Sequence, residues 1–335
     1  MAAADPTKLL LIRRDNIGDL VCTTPLVQAL RRQLPQARIE CLVTRYNQAV
    51  LQNQPDIDAV HAYTKAKHRS AGESLAGIYW RRFRMVAALR SQRFDWVILP
   101  GGGSASALRF ADWVAGKNVL VRDAQDAVAG PHEVQQCCHL LPRMGLSYET
   151  PATRVFSNEA DAAVVRRRVA AALAHAPRRL IGLHISARKP SQRWPAESFV
   201  ELARRLAAQG TAFLLLWAPG AGDDAQHPGD DDKAARLLEL APELPIVPIP
   251  TQRLEDLIAS LSLCDALICG DGGAMHLAAG LGKPIVCLFG QSTAARWHPW
   301  GPSYELLQMP SMEVKDISVD AAARACVALL GDCLK

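Results

Sequence analysis

Residues 9–20 read LLLIRRDNIGDL, an apolar run that stops at a polar turn and is followed by helical spacing. The run Leu9–Ile12 has the length and composition of a buried β-strand. The residues that recur at helical spacing after the turn are Leu20, Thr24, Val27, Leu30 and Leu34. A strand that passes through a glycine-containing turn into a helix is typical of a parallel α/β sheet. The segment therefore predicts an α/β fold that binds its ligand at the carboxyl ends of the strands.

A second turn of this kind lies far along the chain. Residues 269–276 read CGDGGAMH and precede the apolar run Pro284–Phe289. Glycines let the backbone approach a diphosphate closely, and the following helix presents unpaired amides and a positive dipole end. A lone helical histidine is more often a packed core residue, but its place beside this turn favours binding. The residues predicted here to bind a phosphorylated donor are Asp271, Gly272, Gly273 and His276.

Asp19 stands at the start of the first helix, directly after Gly18. Aspartate at this position is a common helix cap, which is the simpler interpretation. A carboxylate at a strand end also projects toward the ligand edge of the sheet, where it can accept a proton from a sugar hydroxyl. A base on one turn and an anion-binding turn on the other indicate group transfer from a phosphorylated donor.

Short apolar runs alternate with helical patterns along nearly the whole chain, which at 335 residues exceeds the usual size of one core. The predicted strands are Lys8–Arg13, Arg38–Val43, Trp96–Leu99, Val119–Val121, Leu180–Ile185, Phe213–Trp217, Ile246–Ile249, Ala266–Cys269 and Ile285–Phe289. The candidate linker Glu149–Thr153 divides the chain into domains 1–153 and 154–335. The last predicted helix, 319–330, is amphipathic and can pack back on the N-terminal domain.

The composition argues against several classes of protein. With 49% apolar and 21% charged residues, the chain is typical of a globular protein, and no apolar run approaches the roughly 18 residues that span a bilayer. No secretory signal is recognisable, and the nine cysteines form no C-x-x-C pair, so we expect buried thiols in the reducing cytoplasm. The acidic run Asp230–Asp232 is interpreted as a helix N-terminus rather than a metal site. No metal and no cofactor are predicted.

The net charge of +5 is unevenly distributed. Between His61 and Arg93, basic and aromatic residues are interleaved with a single acid, Glu73. Such a run is ordinarily a solvated helix face, but it can equally receive an anionic acceptor or a membrane surface. Nucleic-acid binding is disfavoured because the chain has no recognised reading motif. The residues predicted to bind an acceptor are Lys65, Lys67, Arg69, Arg81, Arg82 and Arg84.

Another basic segment follows the predicted strand Leu180–Ile185. Residues 186–195 read SARKPSQRWP, in which Pro195 suits the first turn of a helix. Arg188, Lys189 and Arg193 can neutralise the charge that grows on a departing diphosphate, although ordinary surface basicity is the simpler interpretation.

Together these segments resemble the ADP-heptose:lipopolysaccharide heptosyltransferases of glycosyltransferase family 9. The matching segments, which extend in order over most of residues 8–302, are Ile12–Pro25, Gln192–Pro195, Asp271–His276, Leu277–Pro284, Leu288–Thr293 and Trp300–Pro302. The resemblance implies a GT-B fold, in which two Rossmann-like domains with parallel sheets face each other across a cleft. It also implies an inverting, metal-independent transfer of heptose from ADP-heptose to the lipopolysaccharide inner core, an anionic glycolipid at the inner-leaflet membrane surface.

The resemblance further assigns roles to individual positions. In the family, the acid at the position of Asp19 is the proposed base, and the residues at Asp271, Gly273 and His276 bind the nucleotide sugar. The chain departs from the family at Gln192, where a lysine is common. One explanation is that Arg188 or Lys189 of the same loop substitutes for that lysine. The other is that the donor preference or the activity differs from that of the family. In either case Gln192 is included among the predicted donor-binding residues.

Three alternative functions fit parts of the sequence. A member of the same family could use another nucleotide-sugar donor, which the substitution at Gln192 would accommodate. A GT-B-fold sugar-nucleotide epimerase would need no acceptor platform, so the basic stretch argues against it. A non-catalytic binding protein is supported only by Gln192, and the presence of Asp19 argues against it.

Overall fold

The computed structural model describes residues 7–65, 74–207, 210–222 and 229–331. The chain divides between Val155 and Phe156 into two compact units, just beyond the predicted linker Glu149–Thr153. Each unit contains one β-sheet in which the paired strands are parallel. The predicted α/β fold with two parallel sheets is confirmed.

The first unit has five strands and five α-helices in its described part. Its strands are β1 (Lys8–Ile12), β2 (Arg38–Thr44), β3 (Ala59–Tyr63), β4 (Trp96–Leu99) and β5 (Asn118–Val121). Its helices are α1 (Ile17–Val21), α2 (Thr24–Gln33), α3 (Leu75–Ser91), α4 (Ala105–Val114) and α5 (Glu133–Cys138). The sheet order is β3-β2-β1-β4-β5, and side chains from β1, β4, α3 and α4 form an apolar core on one face of this sheet.

The second unit has six strands and seven α-helices in its described part. Its strands are β6 (Arg179–His184), β7 (Thr211–Trp217), β8 (Ile246–Pro250), β9 (Ala266–Gly270), β10 (Ile285–Phe289) and β11 (Tyr304–Gln308). Its helices are α6 (Glu159–Ala172), α7 (Ala196–Leu206), α8 (Asp231–Leu240), α9 (Leu254–Leu263), α10 (Gly273–Gly280), α11 (Ala294–Trp297) and α12 (Val319–Leu330). The sheet order is β11-β10-β9-β6-β7-β8.

The final helix α12 packs within the second unit against α7, β10 and β11. Its buried face, Ala322, Ala325 and Cys326, joins the core that α7 and the sheet share. Among the residues that the structure describes, no helix is both long and apolar enough to cross a membrane. The eight cysteines in this part of the chain are buried free thiols.

Candidate active site

Each sheet has one point at which its strand order reverses. In the first unit the order runs from β1 toward β3 on one side and from β4 to β5 on the other, so the reversal lies between β1 and β4. In the second unit it lies between β6 and β9. Open parallel sheets bind ligands outside the carboxyl ends of the strands at these points. Asp19, Gln192 and Asp271 follow β1, β6 and β9, the strands that border these two points.

The carboxylate of Asp19 is fixed by two sets of hydrogen bonds. Oδ2 accepts from the backbone N–H of Asn16 at 3.1 Å and from Asn16 Nδ2 at 3.0 Å, so Asp19 is the N3 residue of a capping box whose N-cap is Asn16. Oδ1 accepts from Arg13 Nη2 at 2.6 Å. The side chain nevertheless keeps 16% of its surface exposed. Asp19 therefore supports the start of α1 from the N3 position rather than as its N-cap, and these bonds hold an accessible carboxylate in one orientation.

Arg13 connects Asp19 to a buried charge network that the sequence analysis did not predict. Its guanidinium, only 2% exposed, also donates to Glu133 Oε1 at 2.7 Å, and Arg122 Nη1 donates to the same oxygen at 2.6 Å. Burial favours a lower pKa for Arg13, but the surrounding negative groups outweigh it and hold the pKa above its ordinary value. The network joins the ends of β1 and β5 to the first turn of α5.

The chain after β4 approaches this network closely. A Cβ atom on Gly101 would stand 2.5 Å from Asp15 Oδ2, and Asp15 itself pairs with Arg13 at 3.2 Å. A side chain at position 101 would therefore require the Asp15 carboxylate to shift from its place beside Arg13. The run Gly101–Gly103 directly after a predicted strand was a visible signal that the sequence analysis did not use.

Three of the predicted acceptor residues gather at the end of β3. Lys65 Nζ donates to the carbonyl oxygen of Arg14 at 2.6 Å. The Arg82 guanidinium lies over the Tyr63 ring at 4.8 Å from its centroid. Arg81 and Arg82 line a pocket of about 270 Å³ between β3 and α3. This arrangement concentrates positive charge beside an open cavity.

The other predicted acceptor residues are placed differently. Arg84 is exposed on α3 and does not line this pocket. Lys67 and Arg69 lie outside the described residues.

In the second unit, the turn after β9 leaves open space at the start of α10. Gly272 has an extended backbone with φ 165°, and a Cβ atom there would meet nothing within 4 Å. The backbone N–H of Asp271 donates to the Leu288 carbonyl, which ties the turn to β10. The first amides of α10 and the adjacent space are therefore suited to an anionic ligand.

Gln192 is joined directly to this turn. Its Nε2 donates to Asp271 Oδ2 at 3.1 Å. The short 3-10 turn Pro190–Gln192 packs on the strand ends so tightly that a Cβ on Gly290 would overlap the Ser191 carbonyl oxygen. The glutamine therefore supplies a neutral donor to the Asp271 carboxylate, where a lysine would supply a charged one.

Behind this loop lie further charged groups. Arg193 Nη1 pairs with buried Asp230 at 3.0 Å, which precedes the first turn of α8. Lys233 Nζ donates to the Ile185 carbonyl at 2.9 Å, and burial lowers the pKa of this lysine to about 8. Lys233 is not among the residues predicted from the sequence. The acidic run 230–232 lies at the start of α8, and the described residues contain no cluster suited to a metal ion.

The remaining predicted donor residues differ in exposure. Arg188 and Lys189 are exposed, and none of the ion pairs in the described part of the chain involves them. His276 is only 4% exposed, and its ring packs edge-on against Trp297 at a centroid distance of 6.0 Å. His276 therefore lies on the buried side of α10, and its role in donor binding stays a prediction. Gly273 begins that helix.

Comparison with known proteins places these features in context. The profile of glycosyltransferase family 9 (heptosyltransferase) matches residues 82–322. Lipopolysaccharide heptosyltransferase 2 of Salmonella typhimurium is 26% identical over 310 residues, which cover 85% of this chain and 83% of that protein. A family 9 glycosyl transferase from Veillonella parvula has a similar structure, with a TM-score of 0.82, 20% identity and 98% of each chain covered. The E. coli heptosyltransferase WaaC with ADP-2-deoxy-2-fluoro heptose gives a TM-score of 0.69 at 18% identity, covering 95% of this chain and 98% of WaaC.

Proposed function

Because the chain belongs to glycosyltransferase family 9 (heptosyltransferase), we propose that it moves a heptose from ADP-heptose to the lipopolysaccharide inner core. The chain is a glycosyltransferase. The proposed donor is the nucleotide sugar whose fluorinated analogue is present in the WaaC structure, and the proposed acceptor is lipid A–Kdo or its heptosylated form. We place this reaction at the cytoplasmic face of the inner membrane, with the enzyme bound peripherally.

The observation that carries the proposal is the carboxylate of Asp19, which is held by Arg13 yet still accessible at the end of β1. In the proposed reaction an acceptor hydroxyl attacks the anomeric carbon while the bond from that carbon to the diphosphate oxygen breaks. Asp19 accepts the hydroxyl proton, and ADP leaves from the opposite face, so the configuration inverts. The transition state carries positive charge on the sugar, as in other glycosyl chemistry.

Negative charge grows on the departing diphosphate, and the second unit offers groups that would stabilise it. The amides at the start of α10 beside Gly272 and the exposed side chains of Arg188 and Lys189 are suited to this task. These groups support a metal-independent reaction. Activity should therefore survive EDTA, and a complete loss that magnesium restores would contradict this part of the proposal.

The pocket between β3 and α3 supports an anionic acceptor. Arg81 and Arg82 line it, and Lys65 stands at the same end of β3. Lys65→Glu should raise the acceptor KM and leave the donor KM unchanged, with an effect that weakens at high salt because salt screens the attraction between the acceptor and the basic groups. Arg166→Glu, at an exposed arginine of α6 in the second unit, is a charge-matched control.

The hydrogen bond between Gln192 and Asp271 favours a second candidate, a family 9 transferase with a different nucleotide-sugar donor. A neutral residue where the family commonly has lysine changes the charge beside the proposed diphosphate site. The reaction would otherwise be the same.

One experiment distinguishes transfer from ADP-heptose from transfer from another nucleotide sugar. The purified protein is incubated with lipid A–Kdo and, in parallel, with ADP-heptose, UDP-, GDP- and CMP-sugars, and products are identified by mass spectrometry. A heptosylated glycolipid formed only with ADP-heptose, with an inverted anomeric configuration by NMR, is expected. A glycosylated product from another donor alone would favour the second candidate, and retention of configuration would exclude Asp19 as the base of a single displacement.

A further inference from the structure

Helix α3 carries apolar side chains on two opposite faces. Its buried face packs on the core of the first unit through Ile78 and Leu89, with Met85 and Val86 partly buried beside them. A surface helix of this kind ordinarily places polar residues on the other side. Here the outward side instead presents two large aromatic residues, which packing within the chain does not explain.

The outward aromatic face consists of Trp80 and Phe83, flanked by Ala76 and Ala87. These residues recur at intervals of three and four, so they lie along one line of the helix. Trp80 is 61% exposed and Phe83 is 63% exposed, and their rings stack at a centroid distance of 5.7 Å. Tyr79, also more than half exposed, borders the line. We call these five residues the α3 aromatic face.

The charged side chains of α3 itself are all basic. The helix Leu75–Ser91 contains four arginines and no acidic residue. Exposed Arg84 and Arg90 lie on the two sides of the line, and Arg90 Nη1 donates to the Trp113 carbonyl of neighbouring α4. Trp113 is itself exposed and extends the apolar surface onto α4.

We propose that the α3 aromatic face docks the protein on the surface of an anionic lipid bilayer. Aromatic rings insert at the boundary between headgroups and acyl chains, and arginines on either side pair with lipid phosphates while their stems lie along the apolar surface. The alternative is a dimer in which a second copy of the chain covers this face. Such a dimer would bring the arginines of two identical faces together, and the repulsion between these like charges argues against it. The biological purpose of this docking rests on the proposed function, in which the acceptor is a membrane glycolipid. The physical argument for docking depends only on the α3 aromatic face and its arginines.

Vesicle binding tests the proposal without donor or acceptor. The full-length protein is mixed with phosphatidylcholine vesicles, with or without phosphatidylglycerol, and bound protein is measured by flotation at low and high salt. The wild type should bind the anionic vesicles at low salt. Trp80→Ser/Phe83→Ser should weaken this binding at least about tenfold, because two large apolar side chains no longer enter the bilayer. Arg90→Gln should weaken it about fivefold.

Val164→Ser/Val327→Ser is the matched control, since both valines are exposed on helices of the second unit. This variant should bind vesicles as the wild type does. Analytical ultracentrifugation of the wild type and the aromatic variant tests whether a second copy of the chain covers this face instead. Equal vesicle binding by wild type and aromatic variant would overturn the proposal, as would loss of a wild-type dimer in that variant without a change in vesicle binding.

Turnover separates this proposal from the proposed function. With a lipid-free acceptor fragment, the aromatic variant should keep the wild-type rate, because neither Trp80 nor Phe83 belongs to the proposed site. Absence of heptosyl transfer in both proteins would refute the proposed function and leave the vesicle result as it stands.

Discussion

Replacing Asp19 by alanine separates its two roles, as a helix cap and as the proposed base. Loss of the bonds from Asn16 to Asp19, the N3 half of the capping box on α1, costs about 1 kcal/mol. Loss of the hydrogen bond from Arg13 costs a further 1–2 kcal/mol or so, below the usual range for charged partners because Arg13 keeps Glu133 and Asp15. The free energy of unfolding should therefore fall by about 2–3 kcal/mol, which leaves most of the protein folded at 25 °C.

The effect on catalysis should be far larger than the effect on folding. Removal of a general base lowers kcat by about 10²–10⁴. ADP affinity should change little, because the proposed donor residues belong to the second unit. Stability is measured by urea titration, kcat by ADP release at saturating substrates, and ADP binding by calorimetry. Asp19→Asn should lose as much kcat, although it keeps the size of the side chain.

Asn158→Ala is the control for capping. The Asn158 side chain accepts from the Ala160 N–H at 2.8 Å at the start of α6, so this variant loses a cap remote from the proposed base. It should lose about 1 kcal/mol of stability and keep its kcat. If Asp19→Ala turned over within about tenfold of this control, below the usual contribution of a general base, Asp19 would be a cap and nothing more.

Three further outcomes test the second unit. Gly272→Ala should fold normally, because its Cβ meets nothing within 4 Å, yet it should weaken ADP binding at least about tenfold. Gly290→Ala should instead lose about 1–3 kcal/mol of stability, because its Cβ overlaps a backbone carbonyl. Urea titration and calorimetry on both variants check this, and normal ADP affinity in Gly272→Ala would show that the diphosphate does not bind at that turn. Gln192→Lys should lower the Kd for ADP by about three- to tenfold, since it adds a positive charge beside Asp271; an unchanged Kd by calorimetry would show that this charge does not reach the diphosphate. Burial lowers the pKa of Lys233 to about 8, so the folded protein releases this proton at a lower pH than the unfolded chain. Wild-type stability should therefore rise relative to that of Lys233→Met by about 2–3 kcal/mol between about pH 7 and pH 10. A stability difference that does not vary with pH in urea titrations would contradict this prediction.

The strands that the sequence predicted well are those buried in the sheets. Trp96–Leu99 and Ile285–Phe289 have the predicted bounds, because strands covered on both faces are continuous apolar runs. Strands β3 and β11 were not predicted, because their sequences AVHAY and YELLQ mix polar and apolar residues and are partly exposed. Both lie at sheet edges, and neither has the apolar run that marked the other two edge strands, β5 and β8.

The sequence by itself determined where Asp19 and Asp271 would stand, because each follows a strand through a glycine turn within a few residues. Only the tertiary structure decided what surrounds them. Arg13 meets Glu133 across 120 positions of the chain, and Gln192 meets Asp271 across 79. Strands and turns are local patterns of side chains and backbone. Which charges neutralise one another depends on the strand order, which brings distant strand ends to the same edge of a parallel sheet.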